Sequence, residues 1–266
     1  MYLINNDPNH DPLALAWQKQ YIPIDVEDGG TIITALEQLM LRHLSKGAHI
    51  LDIGCLDGEI VKHLNIKGYQ TTGLDVSEEF LRIARKKAPE SKFILCDIRK
   101  FESPPTYDAV YSHNSFSFLL NLEELTTAFR NVYMAMHDNG LFGLSMQAAD
   151  CTLFDGPPDS SFTGKFNDIP SYQVVQDTFV QIERHTNDNR EERIREIKMT
   201  RFALINGIWK RSDVTVVEKH YFISEIKSAL ENAGFIEIDV YDSRDFGDTT
   251  AFSQPCFVCR KPSLSQ

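Results

Sequence analysis

From residue 31 to residue 147 short apolar runs alternate with stretches that repeat apolar residues every three and four positions. This alternation constrains the fold more than any other feature of the chain. The runs at 49–53 (HILDI), 69–75 (YQTTGLD), 92–96 (KFILC), 107–112 (YDAVYS) and 140–147 (GLFGLSMQ) have strand length. The segments between them read as helices. In 31–44, Ile32, Leu36, Leu39, Met40 and His43 fall on one side of a helix opened by Thr31. Ser77 stands as cap before EEFLRIARKKA, with acids in the first turn and bases in the last, as the helix dipole favours. Strands separated by helices in this order imply a mostly parallel sheet with helices on both faces.

After residue 147 the rhythm breaks. The stretch 155–170 is rich in Gly, Pro, Ser and Asp and reads as a long loop. Three strands are expected next, at 172–183, 193–205 and 208–222, the last two joined by Asn206-Gly207, a strong hairpin signal. The helical pattern returns at 224–234, with Ser224 as cap and Gly234 as stop, and the strands 235–242 and 256–260 close the chain. Only a short connection separates those two strands, so the last must run antiparallel. Counting them gives a seven-stranded sheet with an inserted antiparallel β unit. The expected division is an N-terminal lid segment at 1–30, a core at 31–150 and 218–266, and a β-rich substrate cap at 151–217.

The balance of 38 acidic against 27 basic residues, a formal charge of -11, opposes binding to a phosphate backbone, so no nucleic acid is expected as partner. No apolar stretch is long enough to span a bilayer, and the first residues lack a secretion signal, which predicts a cytoplasmic protein without a membrane partner. Five cysteines at irregular positions make no disulfide framework, and the single Cys256-x-x-Cys259 lacks the further ligands of a zinc site. No metal is expected.

The segment ILDIGCLDGEI, residues 50–60, ends an apolar strand in a carboxylate and then turns through Gly54 and Gly58. Such a turn receives a ligand at the carboxyl ends of the strands. A phosphate-binding loop would need Lys and Ser or Thr after the last glycine, where this chain has Glu59 and Ile60. A dinucleotide would place its pyrophosphate against Asp52, Asp57 and Glu59, which repel it. A nucleoside with no phosphate and a positive charge suits these carboxylates, and S-adenosylmethionine is such a ligand. Asp75, closing the second strand, is placed to accept from both ribose hydroxyls. Asp97 and the N–H of Ile98, after the third strand, are placed to meet an adenine ring.

These residues resemble the motifs of the class I, Rossmann-like S-adenosylmethionine-dependent methyltransferases: LDIGCLDG as motif I, GLDVS as motif II, CDIRKF as the adenine motif and YDAVYSHNSFSFLL as motif IV. The resemblance covers about residues 30–147 and 218–260, and it departs at Leu56, where the family most often has glycine. It implies a cofactor site of Asp52, Gly54, Cys55, Leu56, Gly58, Asp75, Val76, Asp97, Ile98 and His113, with Trp17 and Tyr21 covering the cofactor from the N-terminal segment. The β insertion is similar to that of members acting on small molecules, among them amino-sugar N-methyltransferases. It implies transfer of a methyl group to N or O of a small-molecule acceptor by in-line displacement, in a monomer or homodimer.

His113, beside the expected methyl position, is the first candidate for a catalytic role, and Tyr172 and His220 are candidates from the insertion. Two alternatives remain open on the sequence. One is a tRNA or protein methyltransferase, and the other a non-catalytic binder of the cofactor, for which Leu56 is the one supporting feature.

Overall fold

The structure, a computed structural model, describes residues 30–150, 172–176, 179–189, 191–205, 207–247 and 254–263. The first helix, α1 (Thr31–Leu39), opens after Gly30 and passes through a 3-10 turn at Leu41–His43 into β1 (His49–Ile53). Then follow α2 (Glu59–Ile66), β2 (Gln70–Asp75), α3 (Glu78–Lys87), β3 (Lys92–Leu95), β4 (Tyr107–His113), α4 (Leu122–Ala135) and β5 (Met136–Ser145). The insertion supplies β6 (Tyr172–Gln176), β7 (Phe179–Asn189), β8 (Ile194–Ile205) and β9 (Ile208–Lys219). Helix α5 (Ile223–Ala233), β10 (Ile236–Asp242) and β11 (Pro255–Arg260) complete the main sheet.

That sheet has seven strands in the order β10-β11-β5-β4-β1-β2-β3. The five strands β1 to β5 pair parallel, and β11 runs antiparallel to both β5 and β10. Period-two alternation divides the core into two layers. Leu51 and Ile53 of β1, Val110 of β4 and Phe257 of β11 pack with Leu125, Phe129 and Val132 of α4 and Ile226 and Leu230 of α5. Ile50 of β1 and Ala109 and Tyr111 of β4 pack with Leu36 and Leu39 of α1 and Ile60 and Leu64 of α2. Each fully buried large apolar side chain contributes about 1.5 to 3 kcal/mol of transfer free energy. Cys256 and Cys259, three positions apart on β11, face different layers and are free thiols.

Caps and stops fall where local chemistry puts them. Ser77 Oγ accepts from the Phe80 N–H, and Asn121 Oδ1 from the Glu124 N–H. Three expectations are corrected. His43 is exposed and does not extend the apolar side of α1. Ser224 lies inside the first turn of α5, whose cap position is Phe222. There the Phe222 N–H donates to Glu225 Oε2, and the Ile223 N–H to Asp150 Oδ1. The insertion has four strands and not three, because 172–183 folds back on itself with Gln176 paired to Phe179. β7 then continues through the polar residues up to Asn189, and β9 runs past residue 217 to Lys219.

The four inserted strands form an antiparallel sheet in sequence order. The β8–β9 hairpin closes from Ile205 to Ile208 through Gly207 at φ 78, while Asn206 lies outside the described residues. Met199 of β8 and Val216 of β9 bury against Phe118, just beyond β4, which sets this sheet over the carboxyl end of that strand. The return is fixed by Tyr221, whose hydroxyl donates to the Leu119 carbonyl at 2.7 Å and whose own carbonyl accepts from the Ala149 N–H. Tyr221→Phe removes a buried hydrogen bond and is expected to lower stability by about 1 to 2 kcal/mol. Urea denaturation measures this, and an unchanged midpoint would show that the bond does not hold the insertion.

Candidate active site

The strands β4, β1, β2 and β3 are neighbours, so their carboxyl ends form one row, along which lie Asp52, the turn 54–58, Asp75, Val76, Asp97, Ile98 and His113. After β1 the backbone turns through Gly54, Leu56 and Gly58 at φ 73, 48 and 81. A Cβ on Gly54 would lie 1.8 Å from Ser115 Oγ, so the absence of a side chain lets the turn approach the segment after β4. A Cβ on Gly58 would meet Ala84 Cβ at 2.9 Å, where α2 starts against α3. The Gly54 and Cys55 N–H groups both donate to the Leu74 carbonyl, at 2.7 and 3.1 Å, which ties the turn to β2.

Two carboxylates are buried under this turn. Asp75 is satisfied: Oδ1 accepts from the Ser77 N–H at 2.9 Å and Oδ2 from the Leu56 N–H at 3.0 Å. Asp52 is 3% exposed, and its Oδ2 is buried without a hydrogen-bond partner. Burial, and then the charge of Asp75, push the Asp52 carboxyl up to about 8. The same burial, with the neighbouring Asp52 and Asp75, pushes the Cys55 thiol up.

The outer acids behave differently, and the expectation that three carboxylates crowd the turn is corrected. Lys87, at the end of α3, places Nζ 2.6 Å from Asp57 and 2.5 Å from Glu59 and neutralises them. Repulsion of an anion here falls to Asp75, joined by Asp52 once it ionises.

At the end of β3, Asp97 caps a 3-10 turn by accepting from the Arg99 N–H, and the Arg99 guanidinium grips the same carboxylate. Burial alone would raise the Asp97 carboxyl, but Arg99 holds it below the usual range. Ile98 is buried, and Val76 is exposed. At the end of β4, His113 pairs across the sheet with Ser145, and its Nδ1 lies 2.6 Å from Ser145 Oγ. Burial pushes the imidazole down to about 4. His220 is fully buried where β9 returns to the main sheet, its N–H donating to the Arg193 carbonyl. Tyr172 opens β6, opposite Glu183. Trp17 and Tyr21 lie outside the described residues.

Ser115, Lys87, Asn114 and Gln254 are parts of this region that residue types and spacing did not single out. Lys87 read as a helix-dipole residue, and Gln254 carries no pattern that marks it.

The comparisons with known proteins bear on this arrangement. Residues 50–140 match the family of the methyltransferase domain. A Bacillus subtilis protein provisionally named methyltransferase YqeM is 28% identical over 219 residues, 79% of this chain and 82% of its own. The solved structure of an S-adenosylmethionine-dependent methyltransferase from Clostridium acetobutylicum superposes with a TM-score of 0.69 at 15% identity, covering 86% of this chain and 90% of that one. The sugar N-methyltransferase KedS8 from Streptoalloteichus gives 0.69 at 17% identity, covering 95% of this chain and 92% of its own. Residues 50–140 are thus a methyltransferase domain, and the fold is that of solved S-adenosylmethionine-dependent methyltransferases.

The residues of the enzyme fit that cofactor. A buried carboxylate oxygen without a partner suits a cation, and a turn that a Cβ on Gly54 would fill suits close passage of an uncharged chain. Among the described residues no helix is long and apolar enough to cross a membrane.

The raised Asp52 carboxyl implies a pH dependence. The unfolded chain releases this proton near pH 4, whereas the folded enzyme holds it to about 8, so ionisation opposes folding and stability is lost as pH rises through that window. Asp52→Asn is therefore expected to stabilise the cofactor-free enzyme on the order of a few kcal/mol at pH 8 and by less at pH 5. Denaturant melts at the two pH values check the sign, and a gain that shrinks toward pH 8 contradicts it.

Proposed function

We propose that the enzyme methylates N or O of a small-molecule acceptor in the cytoplasm, acting as a monomer or homodimer, with neither nucleic acid nor membrane as partner. The observation that carries the cofactor site is the unpartnered buried oxygen of Asp52 beside Asp75, a place where a cation stabilises the ionised pair. Asp52 would face the cationic end of S-adenosylmethionine, while the backbone of Gly54, Cys55, Leu56 and Gly58 would border its uncharged link. Asp75 would accept from the ribose hydroxyls with the lone pairs left by Leu56 and Ser77, beside Val76. Asp97 and Ile98 would border the adenine, with Arg99 keeping Asp97 ionised.

Bound S-adenosylmethionine supplies a methyl group activated by a sulfonium. The protein's part is to hold a nucleophile in line with it and keep water out, an effect for which intramolecular reactions allow about 7 to 11 kcal/mol. His113 is the side chain proposed to meet the nucleophile. Tyr172 and His220 are proposed for the acceptor side, and Trp17 and Tyr21 for the cofactor side. Residues 151–217 would then serve as the substrate cap and 1–30 as the lid.

Support for a small acceptor comes from three sides. The inserted sheet packs against Phe118 at the carboxyl end of β4, the chain has a net charge of -11, and the fold is shared with a sugar N-methyltransferase. Release of S-adenosylhomocysteine over a panel of amine, alcohol and carboxylate metabolites tests the reading, and turnover of tRNA alone would reject it.

Asp75→Ala is expected to weaken binding of S-adenosylmethionine by about 1 to 3 kcal/mol through lost hydrogen bonds to a charged acceptor. Titration calorimetry reads this directly, and unaltered affinity would remove Asp75 from the cofactor site.

A further inference from the structure

Four polar side chains stand in series beside the ends of β4 and β5. Gln254 Nε2 donates to Asn114 Oδ1, Asn114 Nδ2 lies 3.3 Å from His113 Nε2, and His113 Nδ1 lies 2.6 Å from Ser145 Oγ. Backbone contacts anchor both residues, and the Gln254–Asn114 bond itself orients the two amides. The Gln254 N–H donates to Ser243 Oγ at 2.9 Å, and its carbonyl accepts from the Ser243 N–H. Asn114, at φ 58, gives its N–H to the Ser145 carbonyl at 2.8 Å.

A carboxamide donates only through nitrogen and accepts only through oxygen, so the direction set at Gln254 passes to every later link. Asn114 accepts on Oδ1 and therefore donates from Nδ2. His113 Nε2 must then accept. Burial keeps the ring neutral, with its pKa near 4, so its single proton resides on Nδ1 and points to Ser145 Oγ.

We propose that Gln254 and Asn114 are positioning residues that present His113 to the methyl acceptor as a hydrogen-bond acceptor at Nε2, and so select neutral amines and alcohols over carboxylates. This rests on the reading above that His113 meets the nucleophile. An amine or alcohol that donates to Nε2 keeps its own lone pair free for attack. A proton on Nε2 would instead tie up that lone pair, leaving the nucleophile hydrogen-bonded at the atom that must react. An ionised carboxylate has no proton to give and sets its charge against the ring lone pair. The Asn114 contact at 3.3 Å is longer than the usual 2.7 to 3.2 Å, which makes it the link an incoming N–H or O–H shares or displaces.

Nitrogen-15 NMR of the histidine-labelled, cofactor-free enzyme at neutral pH reads the tautomer, and His113→Gln identifies the signals. The expected result is a pyrrole-type Nδ1 and a pyridine-type Nε2. Gln254→Glu can only accept, so Asn114 must turn its amide over and the two His113 signals exchange type. With glucosamine as probe acceptor, the same variant is expected to lower kcat by about tenfold or more at an unchanged melting midpoint. The wild type is expected to methylate trans-aconitate at less than about a tenth of its glucosamine rate. A wild-type proton on Nε2, a tautomer exchange that leaves kcat intact, or equal turnover of the two probes overturns the proposal. Failure of the wild type on every amine and alcohol of the panel counts instead against the acceptor reading, since the tautomers are read without any acceptor.

Discussion

The site is built around two carboxylates that share one buried place at the carboxyl ends of adjacent parallel strands. Asp52 and Asp75 are 3% and 5% exposed, and each raises the free energy of the other's charge. The fold resolves half of this conflict. Asp75 receives two backbone N–H groups, whereas Asp52 Oδ2 receives none. The cofactor-free protein therefore keeps one acid neutral well above the pH at which a free aspartate ionises. That arrangement is unfavourable to folding and hostile to anions, and the arrival of a cation relieves it.

The outer acids show the opposite solution. Asp57 and Glu59 share Lys87, two ion pairs near the surface whose net worth is modest. Their role is local: they fix the start of α2 against the end of α3, where Gly58 already lets the two helices approach. Charge near a ligand-binding turn thus sorts into acids paid off by a lysine outside and acids left to a ligand inside, a distinction that depends on depth.

This is also where the sequence stopped being legible. The strand and helix order was readable because period-two and three-four patterns reflect which face each element buries. Ile50 and Leu51 divide between the two layers as alternation demands. Ser77 could be read as a cap because its hydroxyl reaches only a few residues along the chain. Phe222 could not, because the donors at the start of α5 are met by Glu225 within the helix and by Asp150 from a distant segment. The fold-back inside 172–183 was hidden because Gln176-Asp177-Thr178 carries neither glycine nor proline to mark a turn, and the end of β7 by the polar run RHTNDN. Asp52, Asp57 and Glu59 look alike on paper, and only the position of Lys87, about thirty residues away in sequence, separates them. Gln254 reaches Asn114 across 140 positions, a contact that no local pattern records.

Leu56 shows why a departure from a glycine-rich turn need not disable it. The three positive-φ positions make different demands. Gly54 and Gly58 are constrained by neighbours, since a Cβ at either would collide with Ser115 or Ala84. The middle position needs only the left-handed backbone, which raises the free energy of a residue other than glycine by roughly 1 to 2 kcal/mol. Its N–H donates to the Asp75 carboxylate, and a hydrogen bond to a charged group returns about 1.5 to 3 kcal/mol. Glycine would make the same backbone bond, so leucine adds only this modest strain and leaves the tie to Asp75 intact. The leucine at this position is therefore no physical argument for a turn that has lost its cofactor, because the two glycines that permit close approach are the ones the chain keeps.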